Sequence, residues 1–180
     1  MKIEDKQFNH GAALMQIAEH ESFTAINPLV LNGERSHTAF VINHDIAIYP
    51  KYASAPKNSH EEYLFNFSAA NIEELMAIGG QYGRTVLTLV CVNGREICGL
   101  TFDQFCELRS RRVRDVGYAE DPFSLLVTLP KGQQFRVYVN ASGVKNKTLG
   151  SPILVPRKAY PNMLFDASFM ARPKRASVKV

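Results

Sequence analysis

The chain has 180 residues, a length that predicts one domain with at most a small appendage. Its hydrophobic fraction of 46% is typical of a globular protein, and no apolar run approaches the roughly 18–20 residues that span a membrane. Because the first residues are polar and include acids, we expect no signal peptide and a cytoplasmic protein. The three cysteines occupy apolar positions without the spacing of a zinc knuckle, so we expect reduced thiols, no metal and no cofactor.

The net charge of +4 hides an uneven distribution along the chain. Residues 1–108 contain 7 Lys and Arg against 13 Asp and Glu, a balance of −6, whereas residues 109–180 contain 14 against 4, a balance of +10. Such a split is typical of a nucleic-acid surface. It is equally expected of acidic and basic surfaces that pair with each other, within one chain or between copies, and plain solvated surface is the third interpretation.

The first third of the chain predicts one helix and three strands. The helix begins at Asn9 and ends at about Glu21. The strands are separated by polar turns and cover residues 23–31, 38–43 and 46–52. Pro28 cannot donate to a sheet ladder, which makes the first strand an edge strand or a broken one.

A further strand over residues 63–67 carries an aromatic stripe made of Tyr63, Phe65 and Phe67. We expect this stripe in the core, with base stacking by an exposed stripe as the alternative. A helix capped by Ser68 or Asn71 follows, and we expect the glycine pair at residues 79–80 to end it.

Residues 85–112 predict a hairpin followed at once by a helix. Asn93-Gly94 favours a two-residue turn in which both residues have positive φ. The hairpin is apolar on both faces, which predicts a central position in a sheet covered on both sides. Thr101 and Gln104 fit the pattern of a capping box that begins the helix.

The remaining chain predicts a second hairpin over residues 123–140, and a segment around residues 160–165 that packs back onto the body. The fold class is therefore α+β, with a mixed, mostly antiparallel sheet, helices on both faces and a central hairpin at residues 85–100. We expect a single domain over residues 1–165, with a small C-terminal β subdomain over residues 115–165 as the alternative, and a basic flexible tail over residues 166–180.

Several short segments resemble a family of bacterial hypothetical proteins, over roughly residues 10–110. The most specific are the Lys51-Tyr52 strand end and the Leu89-Val90-Cys91 hairpin strand. The other matching segments are His10-Gly11 before a helix, Phe40-Val41-Ile42-Asn43, Tyr63-x-Phe65-x-Phe67 and Ile97-Cys98-Gly99-Leu100. The chain departs from the family pattern at Tyr63, where a tryptophan is expected, and in a longer loop before it. Because the family has no assigned activity, the resemblance implies an architecture and no catalytic residues.

The order of helices and strands is also compatible with a metal-dependent nuclease core. Such a site needs a strand aspartate followed by an acid-x-lysine, so that two carboxylates hold a divalent cation and the lysine helps to activate water. Asp45 and Lys51 have about the right spacing, and Glu19 is a candidate helix ligand. However, Tyr49 stands where the second acid is required, so an active or degenerate nuclease is the weaker hypothesis.

The densest basic cluster follows the first hairpin, and the tail adds further cations. The sequence candidates for nucleic-acid contact are Arg109, Arg111, Arg112, Arg114, Arg172, Lys174 and Arg175. The leading hypothesis is a bacterial domain that binds a partner, nucleic acid in the first place, through its basic C-terminal half. The alternative is a protein-interaction module or a homo-oligomer in which acidic and basic surfaces meet. No membrane partner is expected.

Overall fold

The computed structural model describes residues 2–57, 61–144, 147–166 and 168. The predicted tail at residues 166–180 lies outside the described residues except for Asp166 and Ser168. The described chain forms α1 (Asp5–Ala18), β1 (Ile26–Leu31), β2 (Glu34–Ile42), β3 (Ile46–Ala53), β4 (Glu62–Phe67), α2 (Ala69–Gln81), β5 (Arg84–Cys91), β6 (Glu96–Thr101), α3 (Phe102–Val116), β7 (Phe123–Thr128), β8 (Phe135–Tyr138), β9 (Ile153–Val155) and α4 (Asn162–Phe165).

The strands form two sheets, which confirms the α+β class. Sheet A has five strands in the order β1-β2-β3-β5-β6, and only the β3–β5 pair is parallel. Sheet B has four antiparallel strands in the order β4-β7-β8-β9 and contains the predicted second hairpin, β7–β8. Sheet B thus takes β4 from the first half of the chain, and one cluster of buried apolar side chains runs through both sheets.

The hairpin β5–β6 is buried on both faces, as its sequence predicts. Leu87, Leu89 and Cys98 on one face are fully buried, and Val86 and Val90 on the other are nearly so. The first face lies toward α2, α3 and sheet B, while α1 and α4 cover the second. The hairpin is nevertheless at the margin of sheet A, because β6 is the last strand of that sheet.

The register of this hairpin is the one that a turn at Asn93-Gly94 predicts, with Cys91 opposite Glu96, but the backbone conformation of the turn differs from the prediction. Asn93 and Gly94 do not have positive φ; instead Arg95 lies in the left-handed region at φ 51°, and its N–H donates to the carbonyl of Val92. The N–H groups of Val92 and Asn93 are already bonded to carbonyl groups that end β3, at Ala53 and Ser54. The turn is therefore anchored to the end of β3 on its Val92–Asn93 side.

Side-chain capping sets the helix starts, and two boundaries differ from the prediction. Ser68 caps α2, and the Thr101–Gln104 box begins α3 as predicted. Helix α1 begins four residues before Asn9, because Glu4 and Gln7 form a capping box. Helix α2 continues through the glycine pair to Gln81. Gly79 serves close packing instead, because the Phe102 ring lies against the helix there and a Cβ would collide with that ring.

The aromatic stripe of β4 belongs to the core. Tyr63, Phe65 and Phe67 are 4%, 1% and 0% exposed, so the base-stacking alternative is wrong for this strand. Cys91 and Cys98 are buried, Cys106 is partly buried, and all three are free thiols as predicted. In the described part of the chain, no helix has the length and apolarity to cross a membrane.

Candidate functional site

A group of polar side chains meets where β3 faces the first two turns of α2. Tyr49 and Lys51 are two residues apart on β3 and therefore point to the same face of sheet A. Asn71 and Glu74 are three residues apart on α2 and therefore share one helix face. With Ser36 of β2 they make up what we call the Lys51 cluster.

An irregularity of β2 brings Ser36 into the Lys51 cluster. The register between β1 and β2 shifts between Pro28 and Val30, which leaves extra residues on the β2 side. The Ser36 hydroxyl accepts hydrogen bonds from the N–H groups of Thr38 and Ala39, at 3.1 and 2.8 Å, and holds this bulge in shape. The same hydroxyl donates to Glu74 Oε1 at 2.6 Å.

Both carboxylate oxygens of Glu74 are therefore used by hydroxyl donors. Oε1 accepts from Ser36, and Oε2 accepts from the buried Tyr49 hydroxyl at 3.0 Å. Burial raises the pKa of Tyr49, and the negative charge of Glu74 raises it further, so this hydroxyl stays a donor over the physiological range.

Lys51 is left with a neutral partner. Its Nζ donates to Asn71 Oδ1 at 2.8 Å and lies 5.2 Å from the centre of the Phe67 ring. Among the described residues, no carboxylate lies within ion-pair distance of this ammonium. Burial lowers the pKa of Lys51, because water is withdrawn from its charged form and Glu74 compensates only in part. The direct hydrogen-bond partner of this half-buried cation is thus neutral, and Glu74 acts on it only through its charge.

Two more basic residues come from the start of α1. Lys6 Nζ donates to the carbonyl of His37, next to the β2 bulge, and its charge lowers the pKa of Lys51 further. His10 is 7% exposed and packs edge-on against the Tyr52 ring, with ring centroids 5.7 Å apart. Burial, and after it the charges of Lys6 and Lys51, lower the pKa of His10 to about 4. His10 is therefore neutral at pH 7, and the local potential is positive.

The structure does not bring together the three residues of the nuclease hypothesis. Asp45 precedes β3, has a 63% exposed side chain and lies 3.9 Å from Arg84. Lys51 is six residues further along, roughly 20 Å away at the rise of an extended strand. Glu19 is exposed at the C-terminal end of α1. In the part of the chain that the structure describes, no group of three or more His, Cys, Asp and Glu side chains is placed to hold a metal ion.

Two of the predicted arginines make internal contacts. Arg112 donates to both oxygens of Glu120 at 2.7 Å and to the carbonyl of Asn140 at 2.8 Å. Arg111 pairs with Glu107 and donates to the carbonyl of Ser151 at 2.8 Å. Both therefore tie α3 to the segments that follow it, and the Arg111–Glu107 pair joins the basic half of the chain to the acidic half.

The other predicted arginines of α3 face outward. Arg114 is exposed and donates only to the carbonyl of Ser110, and Arg109 is partly exposed. Neither makes an ion pair with any described residue. The candidates Arg172, Lys174 and Arg175 lie outside the described residues.

Comparison with protein-family models, with curated proteins and with solved structures gave no match for this chain. The resemblance carried by Lys51-Tyr52 and Leu89-Val90-Cys91 therefore stays a prediction, and the case for a function rests on the geometry.

Sequence reasoning found Lys51 but missed the residues around it. Ser36 lies on β2, whereas Asn71 and Glu74 lie on α2, and no spacing rule connects either element with Lys51 on β3. The one available signal was the pair Tyr49 and Lys51, two polar groups on one face of a strand that is otherwise buried.

Proposed function

We propose that the protein is a binding protein whose anionic ligand places its acidic group, a carboxylate or a phosphate, against Lys51. One observation carries the proposal: a half-buried ammonium has a neutral amide as its hydrogen-bond partner, while the neighbouring carboxylate is already used by two hydroxyl groups. A cation in such a place costs stability unless an anion completes its environment.

The surroundings favour an anion over a cation or a neutral ligand. Lys6 adds a second positive charge close enough to lower the pKa of Lys51, after the larger effect of burial. An ammonium group has three N–H donors. Asn71 accepts from one N–H of Lys51, so an anion could accept from the others. The resulting contact is a charge-assisted hydrogen bond, which is stronger than a neutral one.

The proposal is tested by titrating the protein with inorganic phosphate, phenyl phosphate, acetate and benzoate. Binding would be followed from the backbone amide NMR signals of residues 36–39 and 68–71. Lys51→Met should weaken binding of the preferred anion at least about tenfold, the loss of roughly one charge-assisted contact. Lys158→Met, at an exposed lysine far along the chain, is the matched control. Equal binding by both variants, or no binding of any of the four anions, would overturn the proposal.

A second candidate function is binding of nucleic acid through the basic C-terminal half. The observation that favours it is that Arg109 and Arg114 on α3 make no ion pair among the described residues. Filter binding to single- and double-stranded DNA and RNA at two salt concentrations tests it, because phosphate contacts are lost as salt displaces the protein. Arg109→Gln combined with Arg114→Gln should weaken binding and flatten the salt dependence, and absence of salt-sensitive binding by the wild type would rule this function out.

A further inference from the structure

Sheet B carries a cleft on its outer face, separate from the Lys51 cluster. The cleft has a volume of about 330 Å³, within the size range of small-molecule sites. Thr128, Arg136 and Tyr138 line its floor; Glu61, Asn140 and Thr148 are among the residues of its walls. Leu129 and Pro130 add an apolar side.

The strand register explains why these side chains meet. Glu62 pairs with Thr128, which pairs with Arg136, so one row crosses β4, β7 and β8. Alternation along β8 buries Phe135 and Val137 on the inner face and turns Arg136 outward. At a strand spacing of about 4.8 Å, the backbones of β4 and β8 are roughly 10 Å apart. Strand β7 lies between them, so outward-facing side chains of β4 and β8 flank the outer surface of β7, where the cleft is found.

Three charged residues line the cleft, namely Glu61, Glu62 and Arg136. Arg136 is exposed, and Glu61 is exposed at the start of β4; in the described part of the chain neither takes part in an ion pair. The neighbouring Glu62 accepts a hydrogen bond from the Tyr138 hydroxyl. Burial and this hydrogen bond raise the pKa of Tyr138, so that its hydroxyl stays a donor.

Glu61 has an unusual backbone conformation. Its φ of 53° is in the left-handed region, which costs a residue with a side chain on the order of 1 kcal/mol. The neighbouring Glu62 exchanges backbone hydrogen bonds with Lys57, at 2.7 and 3.2 Å. Strained residues of this kind concentrate at ligand sites.

We propose that this cleft binds a free α-amino acid with an apolar side chain. The ammonium group of the ligand pairs with Glu61, its carboxylate pairs with Arg136, and its side chain packs against Leu129 and Pro130. A ligand with only one charge leaves either Glu61 or Arg136 without a partner, which is the physical basis of the selectivity. The cleft lies on sheet B, so this inference does not depend on the anion proposed for Lys51.

The test is calorimetry with three related probes: L-leucine, L-leucinamide, which lacks the carboxylate, and N-acetyl-L-leucine, which lacks the ammonium. L-phenylalanine serves as a second amino acid. We expect the amino acids to bind and each one-charge probe to bind at least about tenfold more weakly, the loss of one ion pair in a partly enclosed site. Failure of both amino acids to bind at up to about 10 mM would overturn the proposal.

Charge-removing variants assign each contact. Arg136→Gln should abolish the preference for leucine over leucinamide but keep the preference over N-acetyl-leucine, and Glu61→Gln should do the reverse. Lys158→Gln is the matched control and should change neither preference. The same probes are also titrated into Lys51→Met, because the Lys51 cluster is proposed to bind carboxylates as well. The preferences for leucine over leucinamide and over N-acetyl-leucine should persist in this variant, and their loss would assign them to the Lys51 cluster and overturn the proposal for the cleft. If Arg136→Gln and Glu61→Gln keep the wild-type preferences, the pairing proposed here is wrong.

Discussion

At the scale of single residues, Lys51 shows how a site is distinguished from a structural contact. A lysine kept for stability is usually exposed or paired with a carboxylate, because burial without such a partner opposes its charge. Lys51 is half-buried, its pKa is lowered, and it donates to an amide. Arg112 is the contrast within the same chain, since Glu120 holds it with two hydrogen bonds and raises its pKa.

Lys51→Met should therefore leave the protein equally stable or make it more stable, by up to about 1 kcal/mol. Methionine keeps the contact with the Phe67 ring and removes a charge that burial opposes. Urea unfolding at pH 7 measures the change, with Lys158→Met as the control for an exposed lysine. A loss of more than about 1 kcal/mol would mean that the hydrogen bond to Asn71 is structural.

His10 should make the stability depend on pH. Burial, Lys6 and Lys51 lower its pKa from 6.5 to about 4 in the folded state, so the unfolded chain takes up a proton at a higher pH than the folded one. The stabilisation from neutral His10 is thus fully present above about pH 6.5 and is lost as the pH falls toward 4. We expect a loss of about 2 to 3 kcal/mol over this range.

His10→Gln should remove this component, because glutamine does not titrate. The measurement is urea unfolding of both proteins between pH 7 and pH 4, in which titrating carboxylates contribute equally and cancel in the comparison. Parallel stability curves for the two proteins would contradict the lowered pKa.

At the scale of elements, the sequence predicted those features of helices and strands that depend on residues adjacent in the chain. Three features were predicted from their own segments and are confirmed: the Thr101–Gln104 capping box, the burial of both faces of the hairpin β5–β6, and the edge position of the strand that contains Pro28. The errors arose where distant residues intervene. Val92 and Asn93 donate hydrogen bonds to the end of β3, at the turn whose backbone differs from the prediction. Phe102 fills the space beside Gly79, a glycine that was expected to end α2.

The candidate site was hardest to predict because distant elements assemble it. Glu74 joins the Lys51 cluster only because α2 crosses the face of β3, and Ser36 joins it only because β2 bulges. Neither event leaves a pattern in the local sequence. Arg111 and Arg112 were predicted to contact nucleic acid for a related reason. The number of basic residues in a segment does not reveal which of them form hydrogen bonds within the protein.

Gly99 tests the packing of α4 on the hairpin. It pairs with Thr88 in sheet A, and an added Cβ would collide with the sulfur of Met163. Gly99→Ala should cost about 1–3 kcal/mol through overpacking. Met163→Ala removes the obstacle, so the double variant should lose clearly less stability than the two single variants added together, as measured by urea unfolding. Additive losses would show that Met163 does not limit the space at Gly99.

At the scale of the whole molecule, the two sheets are joined by polar contacts as well as by the shared core. The clearest link is Arg157, which follows β9. It pairs with Glu96 of β6 and donates to the carbonyl groups of Gln133 and Pro130 at 2.6 and 2.9 Å. Its guanidinium carbon also lies 5.4 Å from the centre of the Phe135 ring. A residue from the basic half thus joins sheet B to a glutamate of the acidic half in sheet A.

Arg157→Gln should destabilise the protein by about 2–3 kcal/mol, because it leaves a partly buried Glu96 and two carbonyl groups without their donor. Arg157→Lys should restore little, since a single ammonium cannot reach three acceptors in different directions and stack on a ring.

Lys158→Gln, at the adjacent exposed position, should change stability by less than about 0.5 kcal/mol. Adding Glu96→Gln to Arg157→Gln should recover part of the loss, because no buried carboxylate then remains unpaired. Urea unfolding of all four variants measures these differences, and equal stability of Arg157→Gln and Lys158→Gln would show that the shared core alone joins the sheets.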